Sequence, residues 1–127
     1  AGHVINIGSI AARYTYPGGS VYCATKAAVK VLTEGLKIDL LGTPIRVTNI
    51  EPGLVETDFS NVRFRGDTDP SKGVYSCMSA LTPEDIADSI FYAATRPAHV
   101  NCCEIYLIPT DQSSGTLISR KQPSQSQ

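Results

Sequence analysis

The alternation of apolar and polar positions changes period several times along the chain. His3 to Ile7 holds Val4, Ile5 and Ile7 in a short, nearly continuous apolar run, as in a strand buried on both faces, and it closes on Gly8 and Ser9. A turn cluster, Pro17-Gly18-Gly19, follows. From Val21 to Leu41 the apolar residues fall at near-helical intervals, Ala24, Ala28, Val31, Leu32, Gly35 and Ile38, with Ser20 placed to cap the start and Gly42 to stop the end. Pro44 breaks the chain, and Ile45 to Ile50 predicts a second strand that stops at Glu51-Pro52-Gly53. Leu54 to Ser79 has no sustained period and reads as a long loop of the functional or mobile kind.

Thr82-Pro83-Glu84-Asp85 opens a second helix: a side-chain cap, a proline at the first helical position and acids against the dipole. It runs through Ile86, Ile90, Ala93 and Ala94 to Arg96-Pro97, and Glu104 to Pro109 predicts a third strand. The order strand, helix, strand, helix, strand implies parallel strands with right-handed helical crossovers, an α/β doubly wound sheet. Gln112 to Gln127, rich in Ser and Gln, reads as a loosely ordered tail after a short docking segment at Leu117-Ile118.

Composition narrows the classes. A chain of 127 residues, 42% hydrophobic and 18% charged, is one globular domain at most. A formal net charge of -1, with no basic run, gives no attraction for nucleic acid or an anionic membrane. No apolar run reaches the roughly 20 residues of a membrane span, so the expected compartment is the cytoplasm. Cys23, Cys77, Cys102 and Cys103 form no C-x-x-C pair and no metal spacing with His3 or His99, and read as reduced thiols, Cys102 and Cys103 as one buried and one outward residue entering a strand. The chain opens at Ala1-Gly2-His3 without an initiator Met, as a piece of a longer chain would.

Candidate chemistry gathers at the first helix. Tyr22 and Lys26 stand four apart and share a helix face. A phenol titrating near about pH 10 is a poor acid or base at neutral pH, but a neighbouring ammonium and a helix N-terminus both favour its deprotonated form. That arrangement suits general acid/base work, and of the six tyrosines only Tyr22 has a lysine four residues on. Ser9, at the C-terminal end of the preceding strand, lies where open α/β sheets place a ligand crevice, and its hydroxyl could orient a substrate oxygen. Pro52-Gly53 at the end of the second strand forces a tight turn that lets backbone approach a flat ring. Arg63 and Arg65 could form a lid that pairs a carboxylate. Asn6, His3 and His99 read as structural, and Glu51 as a buried hydrogen-bond partner.

Taken together, Ile7-Gly8-Ser9, Tyr22-Cys23-Ala24-Thr25-Lys26 and Pro52-Gly53-Leu54-Val55-Glu56-Thr57 resemble the short-chain dehydrogenase/reductase family over nearly all of residues 2–111. Ile50 to Val55, Phe59 to Phe64 and Leu81 to Asp85 resemble its NADP-dependent 3-hydroxy acid branch, whose substrates are serine or allo-threonine. The resemblance implies that residues 1–111 are the C-terminal half of a Rossmann-like domain whose N-terminal half is absent, with 112–127 as its tail. It implies an oxidoreductase in which Ser9, Tyr22 and Lys26 are catalytic. Tyr22, Lys26, Pro52, Gly53, Val55 and Thr57 would contact NADP, or NAD, and Ser9 and Arg63 a small hydroxy acid or ketone. The family assembles into dimers and tetramers through the helix that corresponds to Tyr22 to Leu41 and through the final strand and tail. The departure is that no glycine-rich phosphate loop, ribose selector or Asn-Ala-Gly segment occurs here, so weak dinucleotide binding by this chain alone is expected. A non-catalytic fragment acting through association is the alternative; an epimerase or dehydratase of the extended branch would need a larger C-terminal domain.

Overall fold

A computed structural model describes residues 1–57, 75 and 77–121. Strand β1 spans Gly2–Ile7, helix α1 Ser20–Asp39, strand β2 Ile45–Pro52, helix α2 Pro83–Thr95 and strand β3 Glu104–Leu107, with a one-turn 3-10 helix at Ile10–Ala12 that no periodicity announced. The strands form a parallel sheet in the order β1-β2-β3, with Gly2 opposite Ile45 and Asn49 opposite Glu104. The third strand ends at Leu107, short of the expected Pro109, which has no N–H to offer a ladder.

Helix ends follow local chemistry. Thr82 and Asp85 complete a reciprocal capping box at α2, with Pro83 at its start. At α1 the cap is Gly19, with no side-chain bond, and Ser20 is already helical, which corrects the expectation of a serine cap. Gly42, three residues past the helix, has φ of 88°, the left-handed conformation in which the absence of a Cβ removes the steric cost.

The centre of the sheet is β2, where Val47 to Glu51 are all buried. Side chains alternate across a strand, so both faces of β2 must be covered. One face meets α1: Asn6, opposite Asn49, donates to the Thr33 hydroxyl at 2.9 Å, and Lys30 pairs with Glu104 at 3.0 Å. Arg46, three residues from Asn49 and hence on the other face, donates to the Ala94, Arg96 and Val100 carbonyls at the end of α2. The helices therefore lie on opposite faces although both connections step the same way across the sheet. Two such crossovers have opposite hands, so the expectation of right-handed connections holds for one of them.

The apolar stripe of α1 faces away from the sheet. Val31, Leu32 and Ile38 are 67%, 61% and 67% exposed, while Cys23 and Thr33 are buried. Most polar groups of the core are paired: His3 Nε2 lies 2.7 Å from the Thr48 hydroxyl, Thr33 donates to the Val29 carbonyl, and Glu51 accepts from Asn49 Nδ2 and Arg13 Nε, while His3 Nδ1 and Asn49 Oδ1 have no partner among the described residues. Cys102 is half-buried and Cys103 exposed, just ahead of β3, and all four cysteines are free. No helix among the described residues is long and apolar enough to cross a membrane.

Candidate active site

The C-terminal ends of β1 and β2 open onto a cavity of about 690 Å³. Ser9, Tyr22, Lys26, Pro52, Gly53, Val55 and Thr57 all lie on its wall, so residues from three separate segments meet there. Arg63 and Arg65 lie outside the described residues.

Ser9 follows β1 by two residues and caps the 3-10 turn, its Oγ accepting from the Ala11 N–H at 3.0 Å. The carbonyl is thereby placed to close the turn through Ala12 N–H at 3.1 Å, and the buried hydroxyl is held at the cavity wall with its own proton uncommitted. Tyr22 and Lys26 occupy successive turns of α1. Lys26 Nζ lies 5.8 Å from the centre of the Tyr22 ring, within the range at which a cation is attracted to an aromatic face. The ammonium also donates to the Ile7 carbonyl at 3.3 Å, tying the helix to the strand end that carries Ser9.

The turn after β2 is held from two sides. Gly53 N–H donates to the Leu107 carbonyl at 2.8 Å, and Leu54 N–H to Gln112 Oε1 at 2.9 Å. A Cβ on Gly53 would overlap that same Oε1 and approach Ile108 Cγ2 to 2.9 Å. The Val55 carbonyl accepts from the Tyr75 hydroxyl at 2.8 Å, and Glu56 N–H and Leu54 C=O bond to Leu81, so the Val55 N–H is left without a partner among the described residues.

Sequence reasoning gave no site role to several residues that build the cavity. Gln112, buried, clamps Leu54 with Oε1 and donates from Nε2 to the Ser114 carbonyl at 3.0 Å. Ile118 pairs with Gln112 in an antiparallel bridge and lines the cavity with Arg120, whereas Leu117, its neighbour in the expected docking segment, is exposed. Ile86 and Ile90 of α2 supply an apolar wall. The proline that ends the sheet run at Pro109 was the available signal that the following residues turn back over the strand ends.

Beside the cavity lies a charge cluster. Arg13, at the end of the 3-10 turn, bonds Glu51 at 2.6 Å and Glu104 at 2.9 Å, and its guanidinium stands 4.8 Å over the Tyr106 ring. The hydrogen bond to Glu51 raises the Arg13 pKa further, burial acting against it. Lys30 and then Arg13 hold the Glu104 carboxyl below its usual range, with burial again opposing. Burial, joined by Tyr14, pushes the Tyr106 phenol up.

This sheet, with its strand-end crevice and a Ser, Tyr, Lys and Pro-Gly set around one cavity, defines a class. A family model described as short chain dehydrogenase matches residues 1–67, and the chain belongs to that family. The chain is 48% identical over 122 residues to an NADP-dependent 3-hydroxy acid dehydrogenase of Escherichia coli, covering 95% of this chain and 49% of that protein. It is 48% identical over 110 residues to a sulfoacetaldehyde reductase of Chromohalobacter salexigens, covering 87% and 44%. Among solved structures, the closed form of serine dehydrogenase complexed with NADP+ superposes with a TM-score of 0.86 at 48% identity, over 94% of this chain and 49% of that one. The chain thus spans about half the length of the curated relatives it matches.

Proposed function

We propose that this chain carries the catalytic half of an NADP-dependent oxidoreductase that interconverts the 3-hydroxyl of a small hydroxy acid, such as serine or allo-threonine, and the corresponding aldehyde or ketone. The observation that carries the reading is the convergence of Ser9, Tyr22 and Lys26 on one cavity with the Pro52 to Thr57 turn. The relatives named for NADP-dependent 3-hydroxy acid and serine dehydrogenation support the coenzyme and the substrate class.

The residues fit the nicotinamide end of such a coenzyme: the turn kept open by Gly53 accepts a flat ring, the Val55 N–H, without a partner among the described residues, suits its carboxamide, and Thr57 a nearby phosphate. When bound, the nicotinamide supplies the hydride acceptor or donor. The chain's own part is proton handling and geometry. Tyr22 accepts the alcohol proton in oxidation and returns it to the carbonyl oxygen in reduction. Ser9, already accepting from Ala11, donates a hydrogen bond to the same substrate oxygen and orients it. Lys26 provides the positive charge beside the phenol and, through its other donors, reaches the ribose hydroxyls.

The exposed stripe on α1 supports a homo-oligomer, a dimer or tetramer, as the working form. The test of the activity is reduction of NADP, and separately NAD, by the full-length gene product with serine or 3-hydroxybutyrate, followed at the nicotinamide absorbance. Turnover with NADP is expected; none with either coenzyme would refute the reading.

A further inference from the structure

The described wall of the cavity contains no Asp or Glu and two cations, Lys26 and Arg120. A concave site whose described charged side chains are both cationic suits an anionic ligand. Lys26 is engaged with the Ile7 carbonyl and stands beside the Tyr22 ring, which commits it to the reacting end. Arg120 is exposed on the same wall.

Its position is fixed by its neighbours. Ser119 N–H donates to the Asp111 carbonyl at 2.7 Å, and Lys121 N–H to the Cys77 carbonyl at 2.8 Å. Ile118 bridges to Gln112, and Gln112 holds Leu54 of the turn after β2. The backbone on each side of Arg120 is thus stitched to the structure that forms the cavity. The side chain makes an interaction of its own within the protein, yet a guanidinium carries five N–H donors and can serve a second acceptor.

We propose that Arg120 recognises the acid group of the substrate, its guanidinium pairing the carboxylate of a short hydroxy acid whose hydroxyl lies at Ser9 and Tyr22. The assignment rests on the oxidoreductase reading above and adds to it the residue that separates acids from neutral alcohols. Two relatives at 48% identity are named for a hydroxy acid and for sulfoacetaldehyde, compounds that differ at the reacting carbon but share an anionic group. A planar fork that bonds two oxygens at once fits either group, and an ammonium does so less well.

The experiment compares the wild-type full-length gene product with Arg120→Met and Arg120→Lys, using 3-hydroxybutyrate and the uncharged 2-butanol, alongside calorimetric titration of 3-hydroxybutyrate in the presence of NADP. Arg120→Met should lower kcat/KM for 3-hydroxybutyrate by about 100-fold while leaving 2-butanol within about twofold and the KM for NADP unchanged. Arg120→Lys should recover part of the loss. A raised KM for NADP with equal loss on both substrates would mean the guanidinium serves a coenzyme phosphate, and the carboxylate assignment would fall. If the wild type turns over neither alcohol, the oxidoreductase reading fails, and calorimetry still decides this one: unaltered affinity of Arg120→Met for 3-hydroxybutyrate overturns it.

Discussion

Gly53 shows how one residue can answer two demands. The sequence pointed to it because Pro-Gly at a strand end lets backbone approach a ring; the structure adds that Gln112 Oε1, Ile108 Cγ2 and Pro109 Cδ already fill the space a Cβ would take. Gly53→Ala should therefore destabilise the fold by about 1–3 kcal/mol, read as a lower urea midpoint; a midpoint equal to wild type would contradict the packing described. Gln112 itself was illegible. A glutamine in a Ser-rich stretch carries no local signal, and its partner Leu54 is 58 residues away in sequence. That Ser9, Tyr22 and Lys26 share one cavity wall was legible because their placement depends on short spacings, the four-residue helical repeat and the end of a strand.

At the scale of elements, periodicity found the three described strands and the two described long helices but not which side of α1 meets the sheet. The side it buries includes Thr33, a polar residue made acceptable by bonds to Asn6 and Val29, whereas Val31, Leu32 and Ile38 face out. Hydrophobicity alone cannot rank those faces when the buried polar groups are paired. The 3-10 turn was hidden for a related reason, since its cap is a serine whose role looked purely catalytic.

The sheet also predicts an acid response. His3 is held below its ordinary value of 6.5 by burial and then by Arg46, so the unfolded chain takes up that proton first and the contribution of His3 to stability falls as pH drops from about 6.5 through the lowered value. Glu104, lowered from 4.5 chiefly by its bond to Lys30, contributes fully above that value and loses its contribution as pH falls through the folded pKa. The urea midpoint should decline in two stages on acidification from about pH 7, and Glu104→Gln should flatten the second stage alone. Identical profiles for Glu104→Gln and wild type would rule out the ion pair as the cause.

For the whole molecule, the decisive features are two faces of one sheet covered by helices of opposite crossover hand and the ends of β1 and β2, which meet in a cavity. The fold class was readable from the strand and helix order; the hand of the connections was not, because it depends on which face each helix takes. The outward stripe of α1 belongs to this scale too. Val31→Glu should shift the full-length gene product towards monomer in sedimentation with its helical content retained, and an unchanged mass would remove α1 from the association surface.

The central claim is that the phenol of Tyr22 handles the substrate proton in this cavity, and Tyr22→Phe tests it most directly because it removes one oxygen and keeps the ring. Turnover of 3-hydroxybutyrate and NADP by the full-length gene product should drop by about 100-fold or more, with NADP affinity, read separately by calorimetry, nearly unchanged. A variant that keeps more than about a tenth of wild-type turnover would contradict the account, since general acid/base catalysis by that group contributes at least about 100-fold.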